Sequence, residues 1–113
     1  GAAIARLLEK RLIDDGRYAR LYVESRSRRA PRAGRLLIRE LLVRGVEEAV
    51  ARRAVEDLLL ATSEEDLARR VLEKFALGSE ADRLRAARRL KSRGFDPAIA
   101  LRGMGDVGDD PDG

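Results

Sequence analysis

Residues 19–51, ARLYVESRSRRAPRAGRLLIRELLVRGVEEAVA, decide the fold because their pattern occurs twice. Moved along the chain by 49 positions without a gap, they overlie residues 68–100, ARRVLEKFALGSEADRLRAARRLKSRGFDPAIA. Ala19, Arg20, Glu24, Arg39, Leu41, Arg44, Gly45, Ala49 and Ala51 meet identical residues at 68, 69, 73, 88, 90, 93, 94, 98 and 100. Tyr18, Val23, Val46 and Val50 meet Leu67, Leu72, Phe95 and Ile99. Apolar positions and a glycine stop are what a shared structural unit must keep, so the recurrence points to two copies of one helical motif.

Within the first copy, Tyr18, Ala19, Tyr22 and Val23 form one helical stripe over residues 14–29, while Arg17, Arg20, Glu24 and Arg28 run along another. Asp14 is placed to cap this helix. Pro31 forces Ala30 out of the helical region and Gly34 loosens the backbone, so RAPRAG breaks the pattern. A second helix is predicted over 34–44 with Leu37, Ile38, Leu41 and Leu42 inward, and Gly45 supplies a left-handed stop. A third, over 47–60, is expected to bury Val46, Val50, Ala54 and Leu58.

The second copy opens with Ser63 and Asp66, a near capping box, for a helix to about Ala76. Ser79 and Asp82 open the next, which ends at Arg93 and Gly94. Asp96 and Pro97 start a last short helix to about Met104. AIAR at 3–6 repeats AVAR at 49–52, which marks residues 1–10 as the end of an upstream repeat helix. The expected architecture is all-α: an elongated, right-handed array of three-helix repeats with six or seven helices. Its units are 11–60 and 61–104, followed by an acidic disordered tail at 105–113. The predicted repeat core comprises Tyr18, Ala19, Tyr22, Leu41, Gly45, Leu90, Gly94 and Phe95.

Composition narrows the function classes. The chain has 113 residues, 44% apolar and 39% charged, with two Tyr, two Phe and no Trp. Its core must therefore be built from Leu, Ala, Val and Ile. The net charge is +4, yet residues 105–113, GDVGDDPDG, hold four aspartates and no base, and removing those four negative charges leaves +8 on residues 1–104. A basic body favours anionic partners. With no Cys and no His, thiol nucleophiles, imidazole triads and the usual zinc or iron-sulfur ligands are absent. No cofactor is implied. No apolar run approaches the ~20 residues of a membrane span, and a monomeric protein of the cytoplasm is expected.

The stretch RLIDDGRYARLYVESRSRRAPRAGRLLIRELLVRGV, residues 11–46, resembles the central repeat of the RecX family of bacterial recombination regulators. The family pattern is met by Ile13, Asp14, Asp15, Tyr18 and Ala19, then Arg39, Glu40 and Leu41, then Arg44, Gly45 and Val46. RLRAARRLKSRGFDPAIA, 83–100, looks like the family's last repeat, with its Arg-Gly-Phe turn before a short helix. Gly16 departs from the Glu usual in the family and weakens the helix there by about 1 kcal/mol. The resemblance implies tandem three-helix repeats and no enzymatic activity. It also implies a protein that lies in the groove of the RecA filament on DNA, contacting protomers and the enclosed DNA. There it would restrain ATP hydrolysis, filament growth and strand exchange in DNA repair, recombination and the SOS response.

Six arginines, Arg26, Arg28, Arg29, Arg32, Arg35 and Arg39, stand within 14 residues that contain no carboxylate. Arg35 and Arg39 lie about 40° apart on a helical wheel, and with Arg32 and the end of the preceding helix the six are expected to form one patch. Phosphate or carboxylate contact is one role for them. Compensation of a helix C-terminus by Arg26, Arg28 and Arg29, with the rest solvated, is the other. Leu36 and Val43, off the core stripe and beside Arg39, either pack on the neighbouring repeat or touch a partner. A stand-alone basic module for DNA or RNA, or a helical-repeat protein-interaction fragment, are the alternatives to a filament regulator.

Overall fold

The computed structural model describes residues 1–108. Six helices follow one another: α1 (Ala2–Arg29), α2 (Gly34–Val43), α3 (Glu48–Ala61), α4 (Glu64–Leu72), α5 (Glu80–Ser92) and α6 (Pro97–Gly108). There is no strand among the described residues, and the fold is all-α. Among the described residues no helix is long and apolar enough to cross a membrane.

The 49-residue offset is visible in three dimensions. Ala19, Val23, Leu37, Leu41, Val46 and Ala51 are buried in one core with Ala54 and Val55. Their counterparts Ala68, Leu72, Ala86, Leu90, Phe95 and Ala100 are buried in a second, with Leu67 and Val71. The first core lies within α1–α3, and the second is built by α4–α6 with Ala33 added from the first unit. The glycine stops also coincide. In the first unit Gly45 donates to the Leu42 carbonyl and Val46 to that of Leu41, at 3.0 Å each. In the second, Gly94 donates to Lys91 at 3.0 Å and Phe95 to Leu90 at 3.1 Å. Both are Schellman closures, and both require the left-handed backbone that Gly45 (φ 89°) and Gly94 (φ 84°) adopt. The residue after each stop, Val46 or Phe95, turns back into its core.

Three hydrogen bonds join the units through the start of α2. Ala33 N–H donates to the Arg93 carbonyl at 2.9 Å, Gly34 N–H to Glu64 Oε1 at 2.8 Å, and Arg35 Nε to the Gly94 carbonyl. Glu64 thus supplies the acceptor that α2 lacks in its own N-terminal sequence. Gly34 is needed for closeness: a Cβ there would stand 2.8 Å from Val55 Cγ1 and 2.9 Å from Glu64 Oε1. Ala33 is part of the second core and Leu59 packs against both.

Several sequence expectations are corrected. Asp14 caps nothing: α1 runs unbroken for 28 residues from Ala2, about 42 Å at 1.5 Å per residue. Residues 2–13 are rich in Ala, Leu, Arg, Glu and Lys, all strong helix formers, so Asp14, Asp15 and Gly16 do not interrupt it. Tyr18, placed in the core, is 42% exposed. Its counterpart Leu67 is buried in the second core, which Ala33 and Leu59 of the first unit help to cover, whereas Tyr18 lies outside the first core. Leu42, expected inward, is likewise exposed, because it sits one residue past the Leu37–Leu41 line. Helix α4 stops at Leu72, before Ala76, and the next stretch lays Phe75 and Leu77 against the second core. The last helix passes Met104 to Gly108, so residues 105–108 continue it. The remainder of the expected tail, 109–113, lies outside the described residues. The Ser63 and Ser79 caps form, each hydroxyl accepting from the N–H three residues on, at 3.0 and 3.1 Å.

Candidate functional site

The six arginines do not form one patch. Arg32 turns inward and pairs with Glu40, leaving its side chain 12% exposed, and its Nε donates to the Ala30 carbonyl at 3.0 Å. Glu40 also accepts from the Tyr22 hydroxyl at 2.8 Å. A Tyr22–Glu40–Arg32 network therefore locks α1, the 30–33 link and α2 together, and Arg32 acts within the fold. Arg35 is engaged by the second unit, as above. Leu36 lies there too: a Cβ on Gly94 would be 3.1 Å from Leu36 Cβ. Of the two roles open to it, packing on the neighbouring unit is the one its position serves.

The other members separate into two places. Arg26, Arg39 and Val43 share a groove between α1 and α2 with Tyr22, Glu40 and Arg44, about 430 Å³ in volume. The guanidinium carbons of Arg26 and Arg44 stand 5.4 and 4.8 Å from the centre of the Tyr22 ring, within the range of cation–π attraction. Tyr18 extends the aromatic surface, with ring centres 6.1 Å apart. Val43 is 83% exposed, an apolar contact beside the cations. Arg28 and Arg29 are exposed at the end of α1, where the helix C-terminus favours positive charge.

Sequence reasoning missed a second groove, between α4 and α5, of about 210 Å³. It is lined by Arg29, Arg70, Lys74, Arg89 and Arg93 over a floor of Pro31, Val71 and Phe75. The offset of 49 maps Tyr22, Arg26, Glu40 and Arg44 of the first groove onto Val71, Phe75, Arg89 and Arg93 of the second. It is the same groove with the aromatic moved one turn and the acid replaced by a base. Five cations and no carboxylate line it. Burial first, then the neighbouring charges of Arg32 and Arg89, push the Arg93 pKa down. An arginine stays charged at ordinary pH, so the shift reflects a site that is partly desolvated and already positive. Among the described residues no His, Cys, Asp and Glu gather as a metal site.

Compared with known protein families, residues 14–55 match the model described as RecX, second three-helix domain. Over this segment the chain is related to the RecX family. The segment spans α3 as far as Val55 and contains every residue of the first groove. RecX-family proteins are regulators that act on the RecA recombinase, and RecA is the kind of partner the domain implies. No curated protein and no solved structure matches the chain.

Proposed function

We propose that the chain is a non-enzymatic regulator that binds in the groove of the RecA–DNA filament and lowers RecA ATP hydrolysis, filament extension and strand exchange. The observation that carries this reading is the RecX-family match over residues 14–55, because those residues also build the groove of Tyr22 and Arg26 with exposed Arg39, Val43 and Arg44. Arginine forks suit both carboxylates of a protein partner and phosphates of the enclosed DNA. In this reading the protein works as a monomer in the cytoplasm. Exposed Ile4, Leu7 and Leu8 on α1 offer the face on which a further repeat would pack.

The test is DNA-dependent ATP hydrolysis by RecA with the chain added below stoichiometric amounts. Inhibition is expected, and the Arg39→Glu, Arg44→Glu double variant should lose most of it. Absence of both inhibition and retention on the filament overturns the reading. The all-cation second groove favours one rival, a stand-alone nucleic-acid-binding module. That rival gains if inhibition merely tracks the occupancy of free DNA by the chain.

A further inference from the structure

We propose that the groove between α4 and α5 is a receptor for a phosphate group. Four observations converge on it. Its lining places Arg29, Arg70, Lys74, Arg89 and Arg93 around one concavity without an acid. None of the five makes an ion pair with a carboxylate among the described residues. Arg93 Nη1 is buried and has no hydrogen-bond partner, although a guanidinium carries five donors and an orphaned one is costly. The backbone at Arg93 is also held in place, since its carbonyl accepts from Ala33 across the unit boundary at 2.9 Å. The charge is thus presented by a fixed frame and left without its counter-ion.

Size and shape select the ligand class. At about 210 Å³ the groove is smaller than the roughly 300–1,000 Å³ of sites that enclose drug-sized molecules. It suits one tetrahedral oxyanion, with what is attached to it running out over Phe75. Guanidinium forks donate in pairs to phosphate oxygens, and Arg93 with Arg89 presents two such forks. The first groove cannot do the same, because Glu40 occupies the position of Arg89 and already holds Arg32. This inference stands apart from the RecA reading and is tested without RecA.

The full chain is titrated calorimetrically at low salt with inorganic pyrophosphate and, separately, with a single-stranded oligothymidylate. One pyrophosphate per chain is expected. Arg89→Gln and Arg70→Gln should each weaken it by about tenfold, the worth of one charge-assisted hydrogen bond, while Arg53→Gln on α3 leaves it unchanged. Arg93→Gln should raise the Tm of the unliganded protein, by removing a guanidinium whose Nη1 is buried without a partner, and abolish the further rise that pyrophosphate gives. If the salt dependence of oligothymidylate binding also falls by about 0.7 per arginine removed, the phosphate belongs to a nucleic-acid strand. If only pyrophosphate responds, the ligand is a free anion. Failure of pyrophosphate to bind, indifference to Arg89→Gln and Arg70→Gln, or equally tight binding of polyglutamate overturns the proposal.

Discussion

The two three-helix units use one framework for opposite electrostatic ends. Six pairs of buried residues and both glycine stops coincide at an offset of 49, yet the grooves above them differ. In the first unit Glu40 neutralises Arg32 and anchors Tyr22. In the second, Ala81 replaces Arg32, Val71 replaces Tyr22 and Arg89 replaces Glu40. Polar closure is exchanged for apolar closure by Phe75 and Leu77, and the cations above are left unpaired. The framework is set by apolar packing, and charge on the groove walls is free to vary over it.

The largest effect should come from striking both frameworks at the same point. Leu41→Ala and Leu90→Ala remove equivalent, fully buried side chains, and each should cost about 2–5 kcal/mol in chemical denaturation. A near-silent change at either position would break the equivalence of the units. Glu40→Gln comes next, at about 1–3 kcal/mol, because it strands the charge of Arg32. Arg89→Gln at the matching position should cost little stability, since Arg89 has no partner to strand.

Smaller again is the contrast between the glycine stops. Alanine at either requires the left-handed backbone, about 1–2 kcal/mol. Gly94→Ala should exceed Gly45→Ala in loss of Tm, because its Cβ would lie 3.1 Å from Leu36 Cβ while that of Gly45 meets nothing. Least is a pH effect at the cap of α5. The Ser79 hydroxyl, then Arg85, lower the Asp82 pKa from 3.8. Carboxylate stabilisation from Asp82 is therefore full above about pH 4 and is lost as pH falls through the lowered value. Asp82→Asn should narrow its stability gap to the native chain as the solution is acidified, measured by Tm at a series of pH values.

Features governed by neighbours in sequence were legible before the structure. The serine caps, Gly45 and Gly94 follow from local backbone chemistry, and the apolar repeat exposes itself because core positions tolerate little else. The continuous α1 was not, since Asp14 and Gly16 imitate a helix start while the surrounding propensity carries the helix past them. Least legible was the fate of the arginines. Their long side chains reach partners fixed by tertiary structure: Arg35 meets Gly94, 59 residues away. Even so, a signal for the second groove was present, because the same offset that aligns Leu41 with Leu90 aligns Glu40 with Arg89. Charge reversal at a matched position marks where two copies have parted.

The clamp at the start of α2 also bears on how the chain assembles during synthesis. Ala33, Gly34 and Arg35 take their partners from Arg93, Glu64 and Gly94, which a ribosome makes later. The N-terminal unit is synthesised first, but the entry to its second helix gains its cap only when position 64 has emerged and its other two partners only with positions 93 and 94. The Tyr22–Glu40–Arg32 network can close the α1–α2 groove within the first unit, while the start of α2 is fixed only by the later residues, so a nascent chain released before position 93 should fray at Ala33–Arg35.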